Sequence, residues 1–297
     1  MKIAGVQMDI RLGEKDANLA AMATWAKRAA EQHSQLTIFP ECAVTGYCFD
    51  SLEEAAEQAE PIPGPATDFM TQLAAETDQT LLFGMLELGH DGKVFNVAVL
   101  VTGQGVASVY RKVHLPWLGV DRFTSYGDRP FDVQQAGEAV IGMTICYDAA
   151  FPEAARELAL AGADLIALPT NWPPGAEAMA EHVVNTRAME NAVYYAAVNR
   201  VGEERGFQFI GRSRICGPSG ETLVQGSPSS EELLVCEITP ARARNKRMVR
   251  VPKYHIIDRM ADRRPEFYHR LIQSHDLTPP GRGANHDEGL TEPGFTR

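Results

Sequence analysis

The feature that most constrains the fold is a strand–helix–strand pattern that occurs once in each half of the chain. Short apolar runs predict the strands, and alanine-rich stretches predict the helices. The first unit comprises a strand at 2–8, a helix from about 16 to 32 and a strand at 36–39; the second comprises a strand ending at Cys146, a helix at 153–161 and a strand at 165–168. Two layers of helix flanking mixed sheet account for this alternation. We therefore predict an α/β fold.

Further elements connect and extend these two units. We predict helices at 65–77 and about 177–190, and strands at 80–87, 96–101, 107–112, 194–198, 211–215 and 233–238. Short helices are expected from Arg242 and after Pro265. Residues 1–275 then form a single domain, whereas residues 276–297 are rich in Gly, Pro and charged residues and lack periodicity. We predict that this C-terminal tail is flexible or docked on a partner subunit.

The composition limits the classes of partner. A hydrophobic fraction of 44% in 297 residues is sufficient for the core of one large α/β domain. The net charge of −11 and the absence of a long basic cluster argue against nucleic acid and anionic membranes, and favour a small neutral or cationic ligand. No run approaches the ~18 apolar residues of a transmembrane helix. The N-terminus lacks the pattern of a signal peptide, so we expect no export.

The cysteines and histidines are scattered along the chain. There are five cysteines, at positions 42, 48, 146, 216 and 236. Because the number is odd and no C-x-x-C pair occurs, we expect neither a disulfide framework nor a zinc knuckle. The eight histidines include no H-x-x-x-H pair, so no catalytic metal is predicted. We expect a cytoplasmic protein without a metal or other cofactor.

Three reactive side chains stand at or near the ends of predicted strands: Glu41, Lys112 and Cys146. Taken singly, they can be a solvated turn acid, an ordinary basic residue and a core thiol. Taken together, a carboxylate, an amine and a thiol at neighbouring strand ends form a complete set for acyl transfer. Cys146 also precedes a predicted helix, where backbone N–H groups and the helix dipole favour the thiolate.

The strings around these residues resemble the nitrilase superfamily of carbon–nitrogen hydrolases, amidase-like branch. They are Phe39-Pro40-Glu41, Tyr110-Arg111-Lys112-Val113-His114-Leu115-Pro116 and Cys146-Tyr147-Asp148, with support from Leu168-Pro169-Thr170-Asn171-Trp172. The resemblance extends from Met1 to about Tyr268. It implies a four-layer α-β-β-α sandwich in a single domain, which assembles as a homodimer or a higher homo-oligomer.

The resemblance also implies a role for each residue. Glu41 is the expected general base and Cys146 the nucleophile that forms a thioester. The ammonium of Lys112 and the backbone N–H of Tyr147 are the expected oxyanion hole. Many members carry a further glutamate after the lysine strand, but here Asp121 is the only acid in that segment. Asp121 either takes that role or pairs with Arg122 on the surface.

His114 offers an alternative base for the thiol, in a Cys–His dyad. Its position in the string that contains Lys112 favours a structural role instead, in which it hydrogen-bonds the loop near the site.

The substrate pocket is expected to be apolar and roomy. The predicted lining residues are Tyr47, Trp117, Ala149, Ala150, Asn171 and Trp172. Members that hydrolyse N-carbamoyl amino acids tend to place an arginine after the nucleophile, where this chain has two alanines that cannot bind a carboxylate. We therefore predict a hydrolase that cleaves a small uncharged amide and releases ammonia and a carboxylic acid. The alternatives are a nitrilase acting on C≡N, an N-carbamoyl amide hydrolase, and a binding protein that retains the fold without catalysis.

Overall fold

A computed structural model describes residues 1–282. The first half of the chain supplies five of the six strands of the first sheet, together with the helices that pack on it. In chain order the elements are β1 (Lys2–Gln7), α1 (Lys15–Glu31), β2 (Leu36–Ile38), α2 (Leu52–Gln58), α3 (Pro65–Thr77), β3 (Thr80–Leu88), β4 (Val94–Thr102) and β5 (Gly105–Arg111). A short 3-10 helix follows at Gly119–Arg122.

The second half supplies the six strands of the second sheet, further helices, and the sixth strand of the first sheet. In chain order the elements are β6 (Val133–Ala136), β7 (Ala139–Met143), a 3-10 helix (Cys146–Ala150), α4 (Pro152–Leu160), β8 (Leu165–Thr170), a π-helical turn (Met179–Val183), α5 (Val184–Asn191), β9 (Tyr194–Asn199), β10 (Glu203–Glu204), β11 (Phe207–Gln208), β12 (Arg214–Cys216), β13 (Thr222–Gln225), β14 (Glu232–Glu237), α6 (Pro240–Arg244), β15 (Arg247–Val251) and β16 (His255–Asp258). Two 3-10 turns follow, at Pro265–Phe267 and His269–Ile272.

The two large sheets are mixed, as predicted. Their strand orders are β14-β1-β2-β3-β4-β5 and β13-β12-β9-β8-β7-β6. In each sheet the central strands are parallel and are joined through helices, whereas the edge strands are antiparallel. Parallel strands bring their carboxyl ends to one edge of the sheet, and this edge carries the reactive side chains.

The main core lies between the two sheets. Ile38 and Leu100 of the first sheet and Ile166 and Val198 of the second belong to one buried cluster. A second cluster packs α1 and α3 against the outer face of the first sheet. Helices α4 and α5 cover the second sheet. The α-β-β-α sandwich predicted from the sequence is thus confirmed.

Some local details differ from the predictions. The strand predicted to end at Cys146 ends at Met143, and Cys146 begins a 3-10 helix. The helix predicted at about 177–190 is present, with a π-helical turn at Met179–Val183 before α5. Helix α2 was not predicted, because its seven residues are too short for a clear helical period. The β15–β16 hairpin was not predicted either.

The domain boundary at residue 275 stays a prediction. Residues 283–297 of the predicted tail lie outside the described residues. Within the described part of the tail, Arg282 donates a 2.6 Å hydrogen bond to the main-chain oxygen of Asp121. None of the helices within residues 1–282 is long and apolar enough to cross a membrane.

Candidate active site

Glu41 lies in the loop after β2, pressed against the middle of β3. The N–H of Gly84 donates to the carbonyl of Pro40 at 3.1 Å, and the carbonyl of Gly84 accepts the N–H of Val44 at 3.3 Å. A β-carbon on Gly84 would lie 2.6 Å from the Cα of Glu41 and 2.3 Å from the nitrogen of Cys42. Only glycine allows this approach, so Gly84 fixes where the Glu41 carboxylate enters the interior.

Lys112 follows directly after β5 and is completely buried. Its side chain is anchored by two carboxylates: Nζ lies 2.7 Å from Oε1 of Glu41 and 2.5 Å from Oδ2 of Asp121, and none of the three side chains is exposed to solvent. Burial lowers the pKa of Lys112, but the charges of Asp121 and Glu41 outweigh this effect and hold the pKa well above its usual value. The lysine therefore remains an ammonium ion.

Asp121 enters this cluster from the short helix after β5. Besides Lys112, its carboxylate accepts a hydrogen bond from the hydroxyl of Tyr47 at 2.9 Å. Arg122 points elsewhere and donates to the carbonyls of Gly119 and Phe49. The structure thus places Asp121 inside the cluster, and the alternative of a surface pair with Arg122 is wrong.

Asn96 is a site residue that was not recognised from the sequence. Its side-chain amide donates to Oε1 of Glu41 at 2.7 Å and to Oδ1 of Asp121 at 2.9 Å, and so joins the two carboxylates. Its main-chain carbonyl accepts the N–H of Lys112 at 2.9 Å. A signal was present, because Asn96 interrupts the otherwise apolar run from Val94 to Val101. A polar residue inside a buried strand requires hydrogen-bond partners.

Cys146 stands at a sharp turn beyond β7. Its φ of +46° lies in the left-handed region that residues other than glycine rarely adopt. The carboxylate of Asp148 supports this turn, because it accepts the N–H of Ile145 at 2.8 Å and the hydroxyl of Tyr110 at 2.8 Å. Backbone strain of this kind is characteristic of functional sites.

His114 also helps to hold the turn at Cys146, through its contact with Asp148. Its Nδ1 lies 2.7 Å from Oδ1 of Asp148, and its ring stacks on Phe151 with the centroids 3.7 Å apart. His114 therefore acts on the loop through Asp148, in the structural position that its sequence context favours.

The thiol of Cys146 is protonated at rest. The residue is 5% exposed. Burial and the charge of Glu41 raise the pKa of Cys146 to about 12, although Lys112 acts in the opposite direction. The prediction of a thiolate at rest was therefore wrong, since desolvation is the largest influence on this thiol. A base must remove the proton when the sulfur reacts.

Glu41 has the electronic state of such a base and one carboxylate oxygen without a hydrogen-bond donor in residues 1–282. Burial raises the pKa of its carboxyl group above the usual value of 4.5, despite the opposing charge of Lys112. Oε1 accepts hydrogen bonds from Lys112 and Asn96, whereas Oε2 is buried without a hydrogen-bond partner within residues 1–282. A buried carboxylate oxygen with no donor is free to accept a proton.

The predicted pocket residues fall into different positions. Tyr47 is completely buried behind Asp121, Ala149 is buried, and Ala150 is exposed. Trp117 is 44% exposed, and the guanidinium of Arg282 lies 5.9 Å from its ring centroid.

Asn171 and Trp172 follow β8 and are buried. The amide nitrogen and oxygen of Asn171 have no hydrogen-bond partner within the described residues. Tyr147 is in the first turn of its short helix, where N–H groups have no partner within a helix. In residues 1–282, no three His, Cys, Asp or Glu side chains form a group that could hold a metal ion.

Comparisons with known proteins agree with this geometry. Residues 2–248 match the carbon–nitrogen hydrolase family. A nitrilase of Pyrococcus abyssi is 40% identical over 272 residues, which cover 91% of this chain and 100% of that protein. An (R)-stereoselective amidase of a Pseudomonas species is 34% identical over 230 residues, 76% of this chain and 80% of that protein.

Solved structures with a similar fold also belong to amidases. An amidase from Nesterenkonia sp. AN1 superimposes with a TM-score of 0.75 at 26% identity, covering 92% of this chain and 100% of that one. A variant of that amidase shows the product of Michael addition of acrylamide at its active-site cysteine. Since the family match covers most of the sequence and the fold agrees, the chain belongs to the carbon–nitrogen hydrolase family and is an enzyme of the nitrilase superfamily.

Proposed function

We propose that this enzyme hydrolyses a small uncharged amide through a thioester on Cys146 and releases ammonia and a carboxylic acid. The observation that carries the proposal is the free Oε2 of Glu41, buried in a cluster whose other contacts are fixed by Lys112 and Asn96. This oxygen is suited to move one proton back and forth between the thiol, the leaving nitrogen and water.

In the first half-reaction, Glu41 takes the thiol proton as the sulfur of Cys146 attacks the amide carbon. The S–C bond forms, and the π electron pair of the carbonyl moves to oxygen. Lys112 and the N–H of Tyr147 stabilise this oxyanion, each by about 3–4 kcal/mol as is typical of such donors. Glu41 then returns the proton to nitrogen, the C–N bond breaks, and ammonia leaves the thioester.

In the second half-reaction, the ionised Glu41 takes a proton from water as the water oxygen attacks the thioester carbon. The C–S bond breaks when this intermediate collapses, and the sulfur recovers its proton from Glu41. Because the proton only passes between Glu41 and groups beside it, the summed charge of the cluster, Cys146, water and the bound substrate is the same before and after each transfer. The site thus avoids the high cost of an additional buried charge.

The surroundings of the nucleophile favour an uncharged substrate. Ala149 and Ala150 offer no cation to a substrate carboxylate. The nearby Arg187 is already paired with Glu190 at 2.8 Å and donates to the carbonyl of Ala149 at 3.1 Å. These contacts argue against an N-carbamoyl amino acid as substrate. The Pseudomonas relative and the Nesterenkonia neighbour, both named as amidases, support an amide.

A nitrile is the second candidate, because the Pyrococcus abyssi relative is named as a nitrilase. Ammonia release from matched pairs of aliphatic and aromatic amides and nitriles separates the two. We expect turnover of amides; turnover of nitriles alone would overturn the proposal. A protein that releases no ammonia from either series would favour a binding function.

The nucleophile is tested by intact mass spectrometry during amide turnover. We expect an acyl adduct on Cys146 in the wild-type protein and none in Cys146→Ala. Cys236→Ala is a matched control, since Cys236 lies in β14 at the outer edge of the first sheet. An adduct that persists in Cys146→Ala would contradict the assignment.

We also propose that the enzyme is cytoplasmic, that it assembles as a homodimer or a higher homo-oligomer, and that it binds its small-molecule substrate without another macromolecular partner. All five cysteines are free, as expected in a reducing compartment. Leu271 and Ile272 expose 63% and 88% of their surface, an apolar area that a second copy can cover. Light scattering coupled to size exclusion tests the assembly, and a monomer at micromolar concentration would contradict it.

A further inference from the structure

Thr170 ends β8, and Cys146 lies three residues beyond the end of the neighbouring strand β7. Strands β7 and β8 pair in parallel, with Ile141 opposite Leu165 and Met143 opposite Ala167. The N–H of Thr144 continues this pairing with a 3.0 Å hydrogen bond to the carbonyl of Ala167. Cys146 and Thr170 each lie three residues beyond the paired residues Met143 and Ala167, at the same edge of the sheet.

The hydroxyl of Thr170 has no hydrogen-bond partner among residues 1–282. Thr170 is completely buried, and its Oγ makes no well-formed hydrogen bond within residues 1–282. An unsatisfied buried hydroxyl destabilises a folded protein, and such groups require an explanation. Its neighbour is the nucleophile: burial raises the pKa of Cys146, and the nearby side chain of Thr170 and backbone N–H of Asn171 oppose that rise.

We infer that Thr170 is a positioning residue for the nucleophile, whose hydroxyl donates a hydrogen bond to the sulfur of Cys146 when the thiol loses its proton. The inference rests on the proposed role of Cys146. The S–H bond breaks, its proton goes to Oε2 of Glu41, and the electron pair stays on sulfur. The O–H bond of Thr170 stays intact. The N–H of Asn171 provides a second donor from the next residue of the chain.

The site requires such donors because its charges do not favour a thiolate. The cluster of Glu41, Asp121 and Lys112 contains two carboxylates and one ammonium ion, so it is already negative when both acids are ionised. A hydrogen bond to an ionised group is about twice as strong as one between neutral groups. The hydroxyl therefore stabilises the reactive form of Cys146 more than the resting thiol.

The test compares Thr170→Val, which has the same shape without the hydroxyl, with Thr170→Ser, which keeps the hydroxyl. The readout is the rate at which methyl methanethiosulfonate, a small neutral reagent without an amide, modifies Cys146 between pH 7 and 10, with the site identified by peptide mass spectrometry. Thr144→Val is the matched control, because Thr144 is also buried but directs its hydroxyl to the carbonyl of Ala167 at 3.5 Å.

We expect Thr170→Val to lower the thiolate fraction by about ten- to a hundredfold, the usual effect of one hydrogen bond to a charged group. The modification rate then falls by about three- to tenfold, because a thiolate of higher pKa is also more nucleophilic. Thr170→Ser and Thr144→Val should retain the wild-type rate within about twofold. Thr170→Ala, a second variant without the hydroxyl, should repeat the loss if the valine protein does not fold.

Two results would overturn the inference. One is a wild-type modification rate in both hydroxyl-free variants. The other is a loss of amide turnover with unchanged modification of Cys146, which would assign the hydroxyl to the substrate. Since the reagent is not an amide, the comparison stands even if the wild-type protein hydrolyses no amide, and the two proposals can fail separately.

Discussion

The side-chain amide of Asn96 donates a 2.7 Å hydrogen bond to the same oxygen of Glu41 that receives Lys112. This contact directs the other oxygen, Oε2, away from the fixed donors and leaves it free. A second hydrogen bond from Asn96 holds Asp121 in place. Asn96 therefore determines which oxygen of the base is available for proton transfer.

Replacing Asn96 by alanine should reduce kcat/KM by about ten- to a hundredfold, because hydrogen bonds to two charged groups are lost. Asn96→Asp should be more damaging, since it adds a third carboxylate to the cluster. Asn185→Ala is the control, as Asn185 is a partly exposed residue that bonds Gly220 and Thr222. Steady-state ammonia release measures the effect, and wild-type kinetics in Asn96→Ala would contradict the role of this residue.

The sequence predicted the layers of the fold and the residues of the cluster more accurately than the backbone conformation and ionisation of the site residues. Helix α3 begins and ends where the pattern placed it, at Pro65 and Thr77, because proline at the first helical position is a strong local signal. The turn at Cys146 was missed, since the apolar run continues past Met143 and a positive φ imposed by Asp148 leaves no local trace.

The protonation state of Cys146 could not be predicted from the local sequence. A pattern places Cys146 near a helix N-terminus and so favours a thiolate, but it does not reveal that the residue is only 5% exposed. Desolvation depends on the packing of both sheets and is the larger effect. Asn96 could have been recognised as a polar residue within an apolar strand, although its partners are distant in sequence.

The pH dependence of activity should follow the raised pKa of Glu41. Only ionised Glu41 can act as a base, so kcat/KM should be lost as the pH falls through that pKa, with a midpoint above 4.5. On the alkaline side, the pKa of Lys112 is held well above 10.5, so its deprotonation should cause no loss below about pH 10. A kcat/KM profile measures both limbs. An acidic midpoint below 4.5 would contradict the burial of an unpaired carboxylate oxygen.

Gly84→Ala should unfold the loop that carries Glu41 or displace it. The new methyl group would lie 2.3 Å from the backbone nitrogen of Cys42, and a backbone atom cannot yield as a side chain can. We expect the free energy of unfolding to fall by about 3 kcal/mol or more. In Gly92→Ala a methyl group meets no atom within 4 Å, so only the strain of φ +78° remains, about 1–2 kcal/mol.

Urea denaturation and ammonia release measure the effects of the two glycine variants. We expect Gly92→Ala to remain active and Gly84→Ala to lose activity together with stability. Equal stability losses in the two variants would show that the loop can move away from β3 and would remove the argument for Gly84.

The role of Asp121 as the fourth acid is decided by replacing it with asparagine, which keeps the shape and removes the charge. Lys112 would then share its buried charge with Glu41 alone, at a cost of about 3–5 kcal/mol in stability, the usual result of breaking a buried ion pair. Activity should fall at least about a hundredfold, because the lysine that stabilises the oxyanion loses its position.

Asp128→Asn is the matched control: it also removes a carboxylate from a cation, Arg111, but Asp128 is 55% exposed. That change should alter stability by less than about 1 kcal/mol and leave kcat/KM unchanged. If Asp121→Asn behaved like Asp128→Asn, Glu41 alone would suffice to hold Lys112, and Asp121 would have no part in catalysis.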